Sequence, residues 1–176
     1  PRFVRRPRLR LAWLIVCGRS AFWSALFTFG PILMVANGQS SFAGGVLVGL
    51  ANLLLITAWW WGKFGERFGI RGTITICFAG MFVSSLAAGL VGTSAPLVAA
   101  GILLVTALFA TGLDAVGGVP FYRSVRPLER PEMASVYRTY LDAAELVPPV
   151  IYGLLLGFFG LGVVFVALSA FMLACG

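Results

Sequence analysis

Five charged side chains sit inside stretches that are otherwise apolar: Arg19, Asp114, Arg138, Asp142 and Glu145. Away from water, carboxylates and guanidinium groups must pair, shed their charge or meet a polar solute. Arg138, Asp142 and Glu145 are spaced i, i+4, i+7, which puts them on one stripe of a helix and sets Arg138 to pair with Asp142 one turn on. Two arginines stand against three carboxylates, so pairing both cations leaves one acid over. Other chemistries are excluded. The chain has no histidine, which removes a Ser-His relay, a histidine-ligated zinc and a histidine-ligated haem. Cys17, Cys77 and Cys175 are scattered without metal-type spacing and read as buried packing residues. Gly62-Lys63 runs into Phe64 and lacks the upstream glycine of a phosphate-binding loop, and no G-x-G-x-x-G occurs. Neither catalysis nor a metal or cofactor is indicated.

The elements that carry these charges are long. Phe42 to Trp61 and Thr73 to Gly92 are each twenty residues without a charge. At about 1.5 Å per residue each spans roughly 30 Å, the hydrocarbon thickness of a bilayer. With 60% hydrophobic and 11% charged residues and a mean hydropathy of +0.97, the composition is that of an integral membrane protein. The net charge of +7 marks orientation rather than nucleic-acid binding, because the basic residues flank apolar spans. Leu11 to Ala36 is too long for a signal-peptide core.

The expected architecture is all-α, a basic segment over residues 1–10 and a six-helix transmembrane bundle over 11–176. The spans are Leu11–Ala36, Phe42–Trp61, Thr73–Gly92, Pro96–Tyr122, Met133–Leu156 and a last one from Val163 that is short of the ~20 residues needed. A segment of a longer protein is therefore expected. The connections are Asn37–Ser41, the eleven residues Gly62–Gly72, Thr93–Ala95, the charged loop Arg123–Glu132, and Gly157–Gly162. Residues 1–10, Gly62–Gly72 and the Arg123 loop hold five, three and three of the thirteen basic residues, and the alternate connections hold none. Positive residues mark the cytoplasmic side, which puts both ends of the segment in the cytoplasm, with a bacterial inner membrane as the expected location. Arg19, Asp114 and Asp142 then lie roughly 12–14 Å inside the cytoplasmic face. Each costs about 2.5–3.5 kcal/mol near mid-bilayer, so all five buried charges must face protein or water.

Smaller signals fill in the packing. Trp59-Trp60-Trp61 is expected as an interfacial aromatic anchor. Gly45-x-x-x-Gly49 and Gly153-x-x-x-Gly157 suit close helix contacts inside the bundle, or else a dimer. Gly30-Pro31 and Gly118-Val119-Pro120 interrupt the first and fourth spans, where proline frees the carbonyls of Phe27 and Val116.

The stretch Gly62-Lys63-Phe64-Gly65-Glu66-Arg67-Phe68-Gly69-Ile70-Arg71 resembles the signature loop of the major facilitator superfamily, Gly-x-Leu-Ala-Asp-Arg-x-Gly-Arg-Arg. Gly62, Arg67, Gly69 and Arg71 match it, Glu66 stands for the Asp, and Ile70 replaces a basic residue. The match falls after the second span, where the family carries it. The resemblance implies one half, read here as the C-terminal one, of a twelve-helix secondary transporter built from inverted three-helix repeats. It implies alternating access for a small solute, with the missing half, the solute, protons and the bilayer as partners. A non-transporting scaffold or sensor on the same bundle is the alternative.

What the resemblance implies for residues is specific. Glu66 would brace the cytoplasmic-closed state against a helix N-terminus of the other half, with Arg67 or Arg71 as bridging bases. The first and fourth helices would line the cavity, so that Arg19 and Asp114 meet across it. That leaves Glu145, beside Pro148-Pro149, as the unpaired acid. An unpaired carboxylate away from water is disfavoured in its charged form, which makes Glu145 or Asp114 the expected proton carrier. The bland reading of the same five charges is a set of salt bridges that lock helices together.

Overall fold

The computed structural model describes residues 6–92 and 94–176. Residues 1–5 of the basic segment and Thr93 of the third connection lie outside the described residues. All regular structure among the described residues is helical. The helices are α1 (Pro7–Ala36), α2 (Ser41–Leu53), α3 (Ala58–Phe68), α4 (Ile70–Val91), α5 (Pro96–Val116), α6 (Val119–Ser124), α7 (Arg130–Leu156) and α8 (Gly162–Cys175). Short 3-10 turns join α2 to α3 and lead into α7. Five helical segments are long and apolar enough to cross a membrane: Pro7–Ala36, Ser41–Phe68, Ile70–Val91, Pro96–Ser124 and Pro127–Leu156. α8 is a sixth, shorter apolar helix.

Local chemistry sets the boundaries. α1 ends in a Schellman motif, in which Gln39 N–H bonds the Met34 carbonyl at 2.9 Å and Gly38 N–H bonds that of Val35 at 3.1 Å. Gly38 takes φ +78°, which glycine adopts without steric cost. Asn37 Nδ2 closes the Leu33 carbonyl at 2.8 Å. Ser40 then caps α2, its hydroxyl accepting from Ala43 N–H.

The eleven-residue connection expected over Gly62–Gly72 is not a loop. α3 runs through Gly62, Gly65 and Arg67, and the break shrinks to Gly69, at φ +87° and ψ 144°. Only glycine populates that backbone region freely. The Gly69 carbonyl accepts from Thr73 N–H and from its hydroxyl, at 3.1 and 3.0 Å, and so starts α4. Helix survives the glycines because Trp60, Phe64 and Phe68 stack at i, i+4 steps, with ring centroids 5.9 and 4.4 Å apart.

The prolines within the spans do not break them. α1 continues through Pro31 and α7 through Pro148 and Pro149. Pro120 falls in the first turn of α6, where no helix hydrogen bond is lost.

Packing follows contact of small residues, since lipid supplies no hydrophobic drive between helices. α4 lies against α5 and α8. α1 lies against α2, α5 and α7, while α2 and α3 also reach α5. A methyl group on Gly89 would meet the Gly162 carbonyl at 2.8 Å, so α4 and α8 cross backbone to backbone. One on Gly44 would meet Pro31 at 2.9 Å, where α1 crosses α2. The pairs expected to pack inside the bundle do not. Gly45, Gly49 and Gly153 face open space, and Gly157 meets only a carbonyl of its own turn. The aromatic anchor also divides. Trp59 and Trp60 are exposed, but Trp61 is buried and fills the notch left by Gly112 of α5. The three cysteines are buried. Ser84 of α4 and Thr106 of α5 share a buried hydroxyl hydrogen bond of 2.8 Å.

Candidate functional site

Arg19 and Asp114 are brought together. α1 and α5 lie side by side, and Arg19 Nη1 donates to Asp114 Oδ1 at 2.7 Å. Trp23, one turn on from Arg19, donates its indole N–H to Asp114 Oδ2 at 3.0 Å. Arg19 Nη2 donates to the hydroxyl of Ser20 at 2.9 Å. Its guanidinium lies 5.6 Å from the ring centre of Tyr140, on α7. Three spans thus converge on one ion pair.

The pair is neither sealed nor fully satisfied. The two side chains are 17% and 23% exposed, so an approach from outside this chain remains. Arg19 Nε is buried without an acceptor. One donor of the arginine is therefore left unsatisfied inside the chain, and a new partner could reach it only if the surrounding side chains moved.

α7 departs from expectation. Its packed face runs through Met133, Tyr137, Ala144, Pro148 and Tyr152. At about 100° per residue, Arg138, Asp142 and Glu145 lie roughly 75–135° away from the centre of that face. All three are exposed, and none forms an ion pair with a described residue. The expected Arg138–Asp142 pair is absent. Its order, cation before acid, is the weaker one on a helix, and nothing around it excludes water. Glu145 is unpaired as expected, yet this chain does not bury it.

The signature residues occupy the helical end of the second span and the start of the third. Gly65 abuts Val116 of α5, where a methyl group would come to 2.9 Å. Glu66 and Arg67 are exposed on α3, and Glu66 has no ion pair with a described residue. Lys63 lies over Trp59 at 3.9 Å. Arg71 does not reach Glu66; it lines a cavity with Arg8 and Arg123. At the same end of the bundle, Arg6 pairs with Glu129 at 3.0 Å. Phe121 of α6 stacks on Tyr137 of α7, ring centres 4.1 Å apart.

Sequence reasoning missed Trp23, Ser20 and Tyr140. Trp23 was detectable, since it follows Arg19 by four residues and an indole within a span needs an acceptor. Tyr140 depends on the rotation of α7, which no sequence spacing reports.

Chemically, the site is an incompletely sealed ion pair with a second donor on the carboxylate. Protonating Asp114 would cancel its charge and release Arg19, and an anion could take the carboxylate's place on the guanidinium. Comparison of the chain with protein-family models, curated proteins and solved structures gives no match.

Proposed function

We propose that this chain is one six-helix half, the C-terminal one, of a major-facilitator-type secondary transporter. It moves a small solute by alternating access, with proton coupling through Arg19 and Asp114, in a bacterial cytoplasmic membrane. Its partners are the other half, the solute, protons and lipid.

The observation that carries this reading is the Arg19–Asp114 pair. Two charges placed near mid-bilayer cost about 5–7 kcal/mol together on insertion scales. Their attraction at contact, in an effective dielectric of about 20, returns about 4 kcal/mol. The pair is a poor device for stability, and an apolar pair of similar volume would hold the helices as well. A pair held at that expense, incompletely sealed and with one donor unsatisfied, suits a moving part.

Other features support the transporter reading. The second helical span packs on the fourth and the fifth on the first. Two inverted three-helix units that exchange their middle helices would give that crosswise pattern. Arg8, Arg71 and Arg123 gather at one end, as the alternation of basic connections requires of a cytoplasmic face. The second and fifth spans are the least buried, and the fifth exposes Arg138, Asp142 and Glu145. Inside a bilayer such a stripe needs protein or water against it, and the second half of the transporter supplies both.

A structural lock is the second reading, favoured by the fact that both Asp114 oxygens already have donors. Uptake by the transporter with both halves present, in proteoliposomes under an imposed pH gradient, separates the two. With Asp114→Asn, the transporter reading expects uptake to lose its dependence on the gradient. Gradient-dependent uptake at the wild-type level, with only a lowered melting temperature, would favour the lock.

A further inference from the structure

The basic end of the bundle holds a cavity of about 460 Å³, bordered by α1, α4 and α6, with the end of α8 beside it. Arg8, Arg71 and Arg123 reach it from three separate helices, and no acidic residue lines it. None of the three forms an ion pair with a described residue. Acids are present at this end, since Glu129 is engaged by Arg6, so the cavity's arginines are unmatched by arrangement rather than by shortage. α4 begins at the same place, with Gly69 as its N-cap and no side chain closing the first turn. Its free N–H groups and dipole add to the positive potential. Leu11, Ile15, Ile74 and Val119 give the wall an apolar part, and Thr75 and Ser124 add two hydroxyls. Orientation in the membrane requires only that arginines lie on one side. It does not require three of them to converge on one concave site beside an apolar wall.

We propose that this cavity binds the phosphate group of an anionic phospholipid, with the guanidinium groups on the phosphate oxygens and an acyl chain along the apolar wall. Guanidinium donors match phosphate geometry in a bidentate manner. Arginines beside an apolar wall at the end of membrane-length helices suit the level where a headgroup meets hydrocarbon, and basic pockets between spans recognise headgroups of this kind. Arg71 thereby gains a role on its own chain, beside the bridge to a second half that the signature implies. The inference does not depend on transport.

The test is native mass spectrometry of the purified protein in detergent, titrated with phosphatidylglycerol, with phosphatidylcholine and with sodium phosphate. The expected result is at least tenfold tighter binding of phosphatidylglycerol than of phosphatidylcholine. Arg8→Gln, Arg71→Gln and Arg123→Gln should each weaken phosphatidylglycerol binding about fivefold, near the effect of one basic residue at a membrane surface. Arg71→Lys should lose less than Arg71→Gln. Arg126→Gln, exposed and outside the cavity lining, should change nothing. Equal loss with Arg126→Gln would reduce the effect to diffuse charge and overturn the proposal. Binding of sodium phosphate as tight as that of the lipid would overturn the lipid as the source of the phosphate. Retained preference in all three Gln variants would overturn the site. Because the single variants are read separately, a combined variant that fails to fold does not affect the outcome.

Discussion

Trp23 and Asp114 are joined by an indole N–H to carboxylate hydrogen bond of 3.0 Å, on the oxygen that Arg19 leaves free. The tryptophan and the arginine share one face of α1, so a single helix holds both oxygens of an acid on another. If the acid must release Arg19 during transport, Trp23 sets how readily it does so. A hydrogen bond to a charged group contributes about 1.5–3 kcal/mol. Trp23→Phe keeps the ring and removes the donor. The expected outcome is a shift of the pH at which uptake is half-maximal, with the melting temperature lowered by only a few degrees. An unchanged pH profile would separate Trp23 from coupling.

The signature glycines are not equivalent. Gly69 holds φ +87°, whereas Gly62 lies in regular helix with open space around it. Gly69→Ala should cost about 1–3 kcal/mol through strain. Gly62→Ala should be neutral or slightly stabilising, since alanine is the better helix former. Thermal melts of the two variants in one detergent read the difference directly.

Two glycine contacts make a second contrast. Gly89→Ala forces a methyl group to 2.8 Å from the Gly162 carbonyl and the Val166 side chain and to 3.0 Å from the Val166 nitrogen, and the backbone atoms cannot give way cheaply. Gly45→Ala adds a methyl group facing open space. The first should lower the melting temperature by several degrees. The second should leave the melting temperature unchanged.

Ser84 and Thr106 supply the one buried side-chain hydrogen bond between α4 and α5 among the described residues. Such bonds in membrane bundles average about 0.6 kcal/mol. A double-mutant cycle with Ser84→Ala and Thr106→Val should return a coupling of that order. A value above about 2 kcal/mol would show that the pair organises more than its own contact.

Much of the bundle was legible because span length and charge alternation are properties of the bilayer, not of tertiary detail. The approach of Arg19 to Asp114 was expected from their similar depth together with the family resemblance, which places the first and fourth helices around one cavity. Three things were hidden. The helix through Gly62–Phe68 was obscured by counting glycines and overlooking Trp60, Phe64 and Phe68 at i, i+4 steps. The contact glycine of α2 was misread by one residue, because Gly44 and Gly45 are adjacent and only the fit to Pro31 selects between them. The outward rotation of Arg138, Asp142 and Glu145 was hidden because α7 turns on its contacts at Met133, Tyr137 and Ala144. In a membrane, polarity does not tell which side of a helix faces its own bundle.

The most direct measurement of the central claim uses the double replacement Arg19→Met with Asp114→Leu, which removes both charges and keeps the volume. Melting is followed together with uptake into proteoliposomes under an imposed pH gradient. An apolar pair should hold α1 against α5 at least as well as the ion pair does, so the account predicts a melting temperature at or above wild type. It predicts uptake that no longer responds to the gradient. A double variant whose uptake follows the pH gradient as the wild type does would contradict it.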